Sequence, residues 1–416
     1  MPKGGLHHVH TTAAPHVDVY IECTYDPVTY YNERQGLFKV FTNPTSKEDG
    51  FVQCNEMRAW YENPKDYDDL LRSQILLTRE EQFGLESHDI WGYFQHKFAR
   101  IAGLAKYRPF FEKLLRANIE SCIEQNIFIV ELRHTTGCLF DVQKDQTEPK
   151  LNAQNETMPL LDELAMIQSI IDDVKQRVPH FEMTLILTSY KMIGQSHVTK
   201  ILNHIRIGKE RYPELIVGYD MVNEEEFTPG ISKFMPSVLG AQESPGVTHN
   251  LPCFFHAGET HDRSVTNLHD AVLLNSKRIG HGFQLSLFPN LLQEVIKRDI
   301  CVEACPLSNM VLGYTLDMRN HPVRYMMHQG LQVTISSDDP GFFHYSGVTL
   351  DFVYVTLGWE LDIWDLKKLS LNGIKYSTVS EAKKQHLLND VFPAQWDRFL
   401  QELNALVVSA EATATK

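Results

Sequence analysis

The chain has 416 residues, 43% of them hydrophobic and 22% charged, with a formal net charge of −14. That is ample apolar material for a core, and the length suits one eight-stranded α/β barrel carrying an insertion. A field of this sign repels phosphate backbones, which argues against nucleic acid as a partner, and no run reaches the ~18 apolar residues of a membrane span. An uncharged small molecule would be indifferent to the field.

The opening Met1-Pro2-Lys3-Gly4-Gly5 runs straight into histidines, with no apolar leader of a signal peptide. From there, short β-branched runs alternate with helix-like stretches. Strands are expected near Gly5–His10, Ile127–Arg133, Met183–Thr188, Leu215–Asp220, Pro252–His256, Arg278–His281, Ile300–Glu303 and Gln332–Ser337. Between them the periodicity predicts helices such as Trp91–Gln125, Leu160–Arg177, Phe288–Lys297 and Pro322–Gln329. Strand alternating with helix is the mark of a parallel sheet, and eight repeats suggest closure into a (β/α)8 TIM-type barrel spanning residues 1–409. Residues 17–88 interrupt the alternation; polar, aromatic and rich in turn residues, they read as an inserted lid or small subdomain after the first strand. Residues 410–416 read as a flexible tail.

The seven cysteines show no CxxC spacing, so a cysteine metal site is not expected. Their odd number argues against a full disulfide framework, but Cys23 and Cys54 could close the insertion with one bridge if the protein is extracellular.

Four elements carry chemistry. In His8-Val9-His10, residues two apart on a strand face one side, so both imidazoles can reach one metal; alone the pair is weak, since a surface pair is equally simple. His256-Ala257-Gly258-Glu259 ends an apolar strand and turns to a carboxylate, although Glu259 and Thr260 could merely start a helix. Ile279-Gly280-His281-Gly282 flanks a histidine with glycines that permit close approach. Ser336-Ser337-Asp338-Asp339-Pro340-Gly341 ends a buried strand in two adjacent carboxylates, which need a cation or separate donors to stay ionised, or form a capping turn. All four fall at C-terminal ends of predicted strands, which converge on one mouth in a closed barrel. Histidines, a carboxylate and an open position for water describe catalytic zinc geometry rather than structural zinc.

The set Leu6-His7-His8-Val9-His10, His256-Ala257-Gly258-Glu259, Gly280-His281-Gly282, Cys305-Pro306-Leu307-Ser308-Asn309 and Ser337-Asp338-Asp339-Pro340 resembles the adenosine deaminase family of metal-dependent hydrolases. The opening five residues, Trp91…Phe94…Phe98, Glu131-Leu132-Arg133 and Leu369…Asn372-Gly373-Ile374-Lys375-Tyr376-Ser377 look like its secreted branch, the adenosine deaminase growth factors. The resemblance implies one zinc per chain, held by His8, His10, His256 and Asp338. It implies that Glu259 donates a proton to the purine ring, that His281 orients the attacking water, that Asp339 contacts the purine and that Trp91 lines the pocket. The substrate would then be adenosine or a close purine nucleoside, deaminated hydrolytically. The chain departs from the pattern at Thr11 and Thr12, where the family usually has an acid for the ribose hydroxyls, and at Asn223, where it normally has glycine. Thr12 and Asn223 are therefore expected in the substrate wall. The N-terminal extension that supports dimers in the secreted branch does not precede the first strand, which leaves a homodimer open; resemblance to that branch implies an extracellular location. Two alternatives stand: a deaminase or amidohydrolase acting on another purine, a nucleotide or a pterin-like ring, and a growth-factor-like binding protein with an idle site.

Overall fold

The computed structural model describes residues 1–82, 87–141, 157–243 and 251–414. Two four-stranded parallel sheets form the core. One runs β1 (Gly4–His10), β5 (Ile127–His134), β6 (Glu182–Tyr190), β7 (Ile216–Val222), and the other β8 (His256–Ala257), β9 (Arg278–His281), β10 (Cys301–Ala304), β11 (Val333–Ile335). Their residues are buried almost without exception, because helices cover the outside and side chains fill the inside.

Two single bridges close these sheets into a barrel. Tyr219 pairs with Cys253 through Tyr219 N–H to Pro252 O (3.0 Å) and Phe254 N–H to Tyr219 O (2.9 Å). Val9 pairs with Asp338 through His10 N–H to Asp338 O (3.0 Å) and Asp338 N–H to His8 O (3.0 Å). The second seam fixes the backbone of Asp338 against β1, level with both histidines of that strand. Of the run expected as a strand at Pro252–His256, only His256 lies in a ladder strand, β8, and Cys253 makes the single bridge to Tyr219.

The expected helix Trp91–Gln125 is two helices, Ser87–Ala105 and Arg108–Glu124. Tyr107 is extended (φ −75°, ψ 118°), and Pro109 opens the second helix in its first turn, where a missing N–H breaks no bond. The last helix runs Phe392–Ala414, through most of the segment expected to fray.

Between β1 and β5 lie the helices Val17–Cys23, Cys54–Arg58, Pro64–Ile75 and Arg79–Gln82, and an antiparallel sheet ordered β3 (Leu37–Val40), β2 (Thr29–Asn32), β4 (Val52–Gln53). Tyr20, Ile21, Phe38, Leu71 and Ile75 pack with Ile101 and Leu104 into an apolar cluster separate from the barrel's. Arg58 is buried there, its Nε donating to Asp68 Oδ1 at 2.8 Å. Cys23 and Cys54 are free and buried rather than bridged, and burial pushes both thiols up to about 12. Among the described residues no helix is long and apolar enough to cross a membrane.

Candidate active site

The strand ends bring the predicted residues to one place. His8 and His10 leave β1 on one side, His256 begins β8, and Asp338 lies beyond β11 at the seam. Nε2 of His256 is 3.0 Å from Nε2 of His8 and 3.2 Å from Nε2 of His10. Asp338 Oδ1 is 3.4 and 3.2 Å from those two His8 and His10 nitrogens. One ligand atom from each of the four residues lies within 4.8 Å of every other.

The protons decide what this cluster can hold. His8 Nδ1 is 2.9 Å from Glu303 Oε2, and His256 Nδ1 is 2.7 Å from Asp220 Oδ2. Each carboxylate accepts a hydrogen bond from Nδ1–H, which leaves Nε2 of both neutral rings as a bare lone pair. Two lone pairs facing each other at 3.0 Å beside a carboxylate repel, and a cation between them removes the repulsion. Burial pushes His256 down to about 3 and lowers His10 and His281, so these rings are neutral, the state in which imidazole binds a metal. The donor set therefore fits a divalent metal. A second combination, His8, His281, Cys305 and Asp338, shares two of these groups. Burial holds the Cys305 thiol well above its usual value, which makes it the poorer donor.

A charged frame inside the barrel holds the two orienting carboxylates. Arg133, fully buried at the end of β5, donates through Nε to Asp220 (2.7 Å) and through Nη2 to Glu303 (2.6 Å). Arg278 donates through Nε to Glu303 Oε1 at 2.7 Å and also pairs with Glu131. Burial works against the Glu303 charge, but the two guanidiniums hold its carboxyl well below the usual range. The frame thus spans β5, β7, β9 and β10 and fixes both histidines.

Two site residues occupy left-handed backbone, His281 (φ +61°) and Asp338 (φ +62°), a conformation kept only where surroundings enforce it. Ser308 Oγ donates to Asp338 Oδ2 at 2.7 Å. Asn309 Nδ2 lies 3.3 Å from His281 Nδ1, and His281 Nε2 is buried without a partner. Gly280 makes room for the first ligand, since a Cβ there would lie 2.9 Å from His8 Cε1 and 3.2 Å from the His256 Cα.

A cavity of about 340 Å³ opens on this cluster, lined by His10, His256, Asp338, Glu259, Asp339 and Trp91 among others. The backbone N–H of Glu259 donates to Glu225 Oε1 at 2.7 Å, while its own Oε1 has no hydrogen-bond partner and lies 3.3 Å from His281 Nδ1. Burial first, then the charges of Asp338, Glu225 and Asp339, raise the Glu259 carboxyl well above its ordinary value. Asp339 Oδ1 is likewise buried and unpartnered. Trp91 Nε1 donates to Tyr314 Oη at 2.6 Å.

With that geometry in place, comparison with known proteins is decisive. The model of the family described as adenosine deaminase matches residues 65–394. The chain belongs to the adenosine deaminase family. Adenosine deaminase 2-A of Danio rerio is 30% identical over 97% of this chain and 80% of its own length. Among solved structures, adenine deaminase from Arthrobacter aurescens superposes with a TM-score of 0.67 at 20% identity, covering 96% of this chain and all of its own. A zinc-bound amidohydrolase superposes with a TM-score of 0.60 at 18% identity, over 97% of this chain and 93% of its own. This chain is thus a hydrolytic deaminase on a TIM-type barrel.

The two departures from the family pattern both line the cavity. Thr12 presents a neutral wall, and its carbonyl accepts from Tyr20 Oη at 2.5 Å. Asn223 sits at φ +114°, a conformation that favours glycine. Its side chain turns aside: Oδ1 accepts from the Met192 N–H at 3.1 Å, and Nδ2 lies 3.4 Å from Met192 Sδ. Arg133, Asp220 and Glu303 stand in the sequence as ends of expected strands with no role assigned, and Lys191 carries no mark there at all. The signal was available for three of them, because a charge inside a barrel strand must face a partner. Lys191, whose buried Nζ has no hydrogen-bond partner, follows β6 and left no such mark.

Proposed function

We propose that this chain catalyses the zinc-dependent hydrolytic deamination of adenosine, or of a close purine nucleoside, to the 6-oxo product and ammonia. The observation that carries it is the meeting of three imidazole nitrogens, two of them bare, and Asp338 at a cavity where Glu259 holds an oxygen without a hydrogen-bond partner. His8, His10, His256 and Asp338 would hold the metal, and the chemistry a zinc ion would supply there is a water acidified enough to attack at neutral pH. His281 orients that water from its unpartnered Nε2. Glu259, kept protonated by burial, donates to the ring nitrogen as attack at C6 breaks aromaticity. Asp339 accepts from or donates to the purine edge, and Trp91, Thr12 and Asn223 complete the wall. Four orienting second contacts and a raised general acid are what a working site needs, and the reading as a growth-factor-like binding protein with an idle site gains no support.

A screen of ammonia release over nucleosides, nucleobases and nucleotides, run with metal analysis on the same preparation, tests this. Adenosine or another purine nucleoside is expected to turn over fastest. A metal-loaded enzyme that releases ammonia only from nucleotides or non-purine rings would overturn the substrate assignment.

A further inference from the structure

One buried titratable pair at the cavity has no part in the chemistry above. His134 ends β5 and Thr11 follows β1, one residue beyond the level at which His10 pairs with Arg133. Both residues line the cavity. His134 Nε2 lies 2.8 Å from Glu163 Oε1, and the other Glu163 oxygen accepts the Gly137 N–H at 2.9 Å. Glu163 comes from the first turn of the Leu160–Arg177 helix and is fully buried. Its only ion pair among the described residues is the one with His134. The Thr11 hydroxyl donates to the Arg133 carbonyl at 2.8 Å, so although its Oγ1 lies 3.2 Å from His134 Nδ1 it gives that nitrogen no proton. With Nε2–H on Glu163, the Nδ1 lone pair is left open to a donor, and Phe111 packs against the ring with centroids 5.6 Å apart.

A carboxylate taken out of water with no guanidinium or ammonium partner is costly, and it is retained where it fixes something. Here Glu163 fixes the plane and tautomer of an imidazole. The metal ligands would face the ring carbon under attack, and Thr11 and His134, which line the same cavity, would face what the ring carries. Neither residue offers a carboxylate there.

We infer that His134, oriented by Glu163 and with Thr11 beside it, is a specificity-determining residue whose Nδ1 accepts a hydrogen bond from a hydroxyl on the substrate's sugar. The inference rests on the purine-nucleoside reading above. Glu163 acts through His134 and is a positioning residue. Beyond this polar wall the cavity is lined by Phe98, Ala102, Phe111 and Leu139, with Gln95, Lys106 and Tyr190 as further polar groups.

The test is a cycle between protein and substrate. Wild type and the double variant His134→Ala/Glu163→Gln, which leaves no unpaired buried carboxylate, are assayed on adenosine and its 2′-, 3′- and 5′-deoxy analogues. Wild type is expected to prefer adenosine over at least one analogue by about three- to tenfold in kcat/KM, the worth of one hydrogen bond, and the variant to lose that preference through KM. Thr11→Val keeps the volume and the His134–Glu163 pair, and should lower the same preference if the double variant does not fold. Equal turnover of all four nucleosides by wild type, or a preference that survives in folded variants, overturns the inference while leaving the deaminase reading intact. Failure of wild type on every purine nucleoside refutes that reading instead.

Discussion

Glu303→Gln probes the frame that orients the metal site. The wild-type carboxylate accepts from His8 Nδ1 (2.9 Å) and Arg133 Nη2 (2.6 Å) at Oε2, and from Arg278 Nε (2.7 Å) at Oε1. An amide of the same shape has one acceptor oxygen. Turned toward His8 and Arg133, its NH2 meets the Arg278 N–H; turned the other way, it meets two donors. At least one charge-assisted bond is lost, and the two buried guanidiniums lose the one carboxylate charge they share, each keeping its other partner, Asp220 or Glu131. Breaking a buried pair costs about 3–5 kcal/mol, since the partner is left uncompensated. For 416 residues the unfolding entropy near the midpoint is about 0.9 kcal/mol/K, so the metal-free variant should melt about 3–6 °C lower at the same scan rate. The loosened His8 ring should also weaken metal binding by about 10–100-fold. Differential scanning calorimetry on stripped protein and a chelator competition measure the two effects. A variant whose midpoint moves by less than about 1 °C and whose metal affinity is unchanged would refute the frame as the device that orients His8. The pH sign also follows. Glu303 has a depressed folded value, so its contribution is present above the ordinary carboxylate range and is lost as pH falls through the depressed one; the wild-type advantage over the variant should therefore shrink on acidification.

Glu259→Gln should keep fold and metal but lose about 10²–10⁴-fold in kcat, because an amide cannot supply the proton; a loss under about tenfold would remove Glu259 from the chemistry. Gly280→Ala should cut metal affinity, since its Cβ would sit 2.9 Å from the His8 ring; unchanged zinc retention against a chelator would show that the ring can move without cost. Asn223→Gly relieves a left-handed backbone at φ +114° but removes the cap on the Met192 N–H, so stability should change by about 1 kcal/mol or less. Combined with Thr12→Asp it should raise kcat/KM on adenosine by roughly tenfold, and an unchanged or lower value would count against adenosine as the native substrate.

Much of the site was legible because strand geometry is periodic. His8 and His10 share a face by the two-residue repeat, and a histidine or carboxylate closing an apolar run lands at the barrel mouth. What the sequence concealed is contact across the barrel. Glu303 reads as a charge in a short strand; only closure shows it bridging His8, Arg133 and Arg278. The position of Asp338 between the β1 histidines depends on a single bridge at the seam, which no local pattern encodes. The helix expected over Trp91–Gln125 divides at Tyr107 because apolar periodicity continues across Pro109 while the backbone does not. The Asn223 side chain was expected in the substrate wall; its bond to Met192 is a loop contact set by tertiary packing.

The central claim is that a metal held by His8, His10, His256 and Asp338 drives purine nucleoside deamination. It is tested most directly by adding zinc back to chelator-stripped enzyme and following adenosine turnover against zinc bound per chain. Activity should rise linearly from near zero and break at about one equivalent, the capacity of a single four-ligand site. Full turnover by stripped protein, or a titration with no break near one, would contradict it.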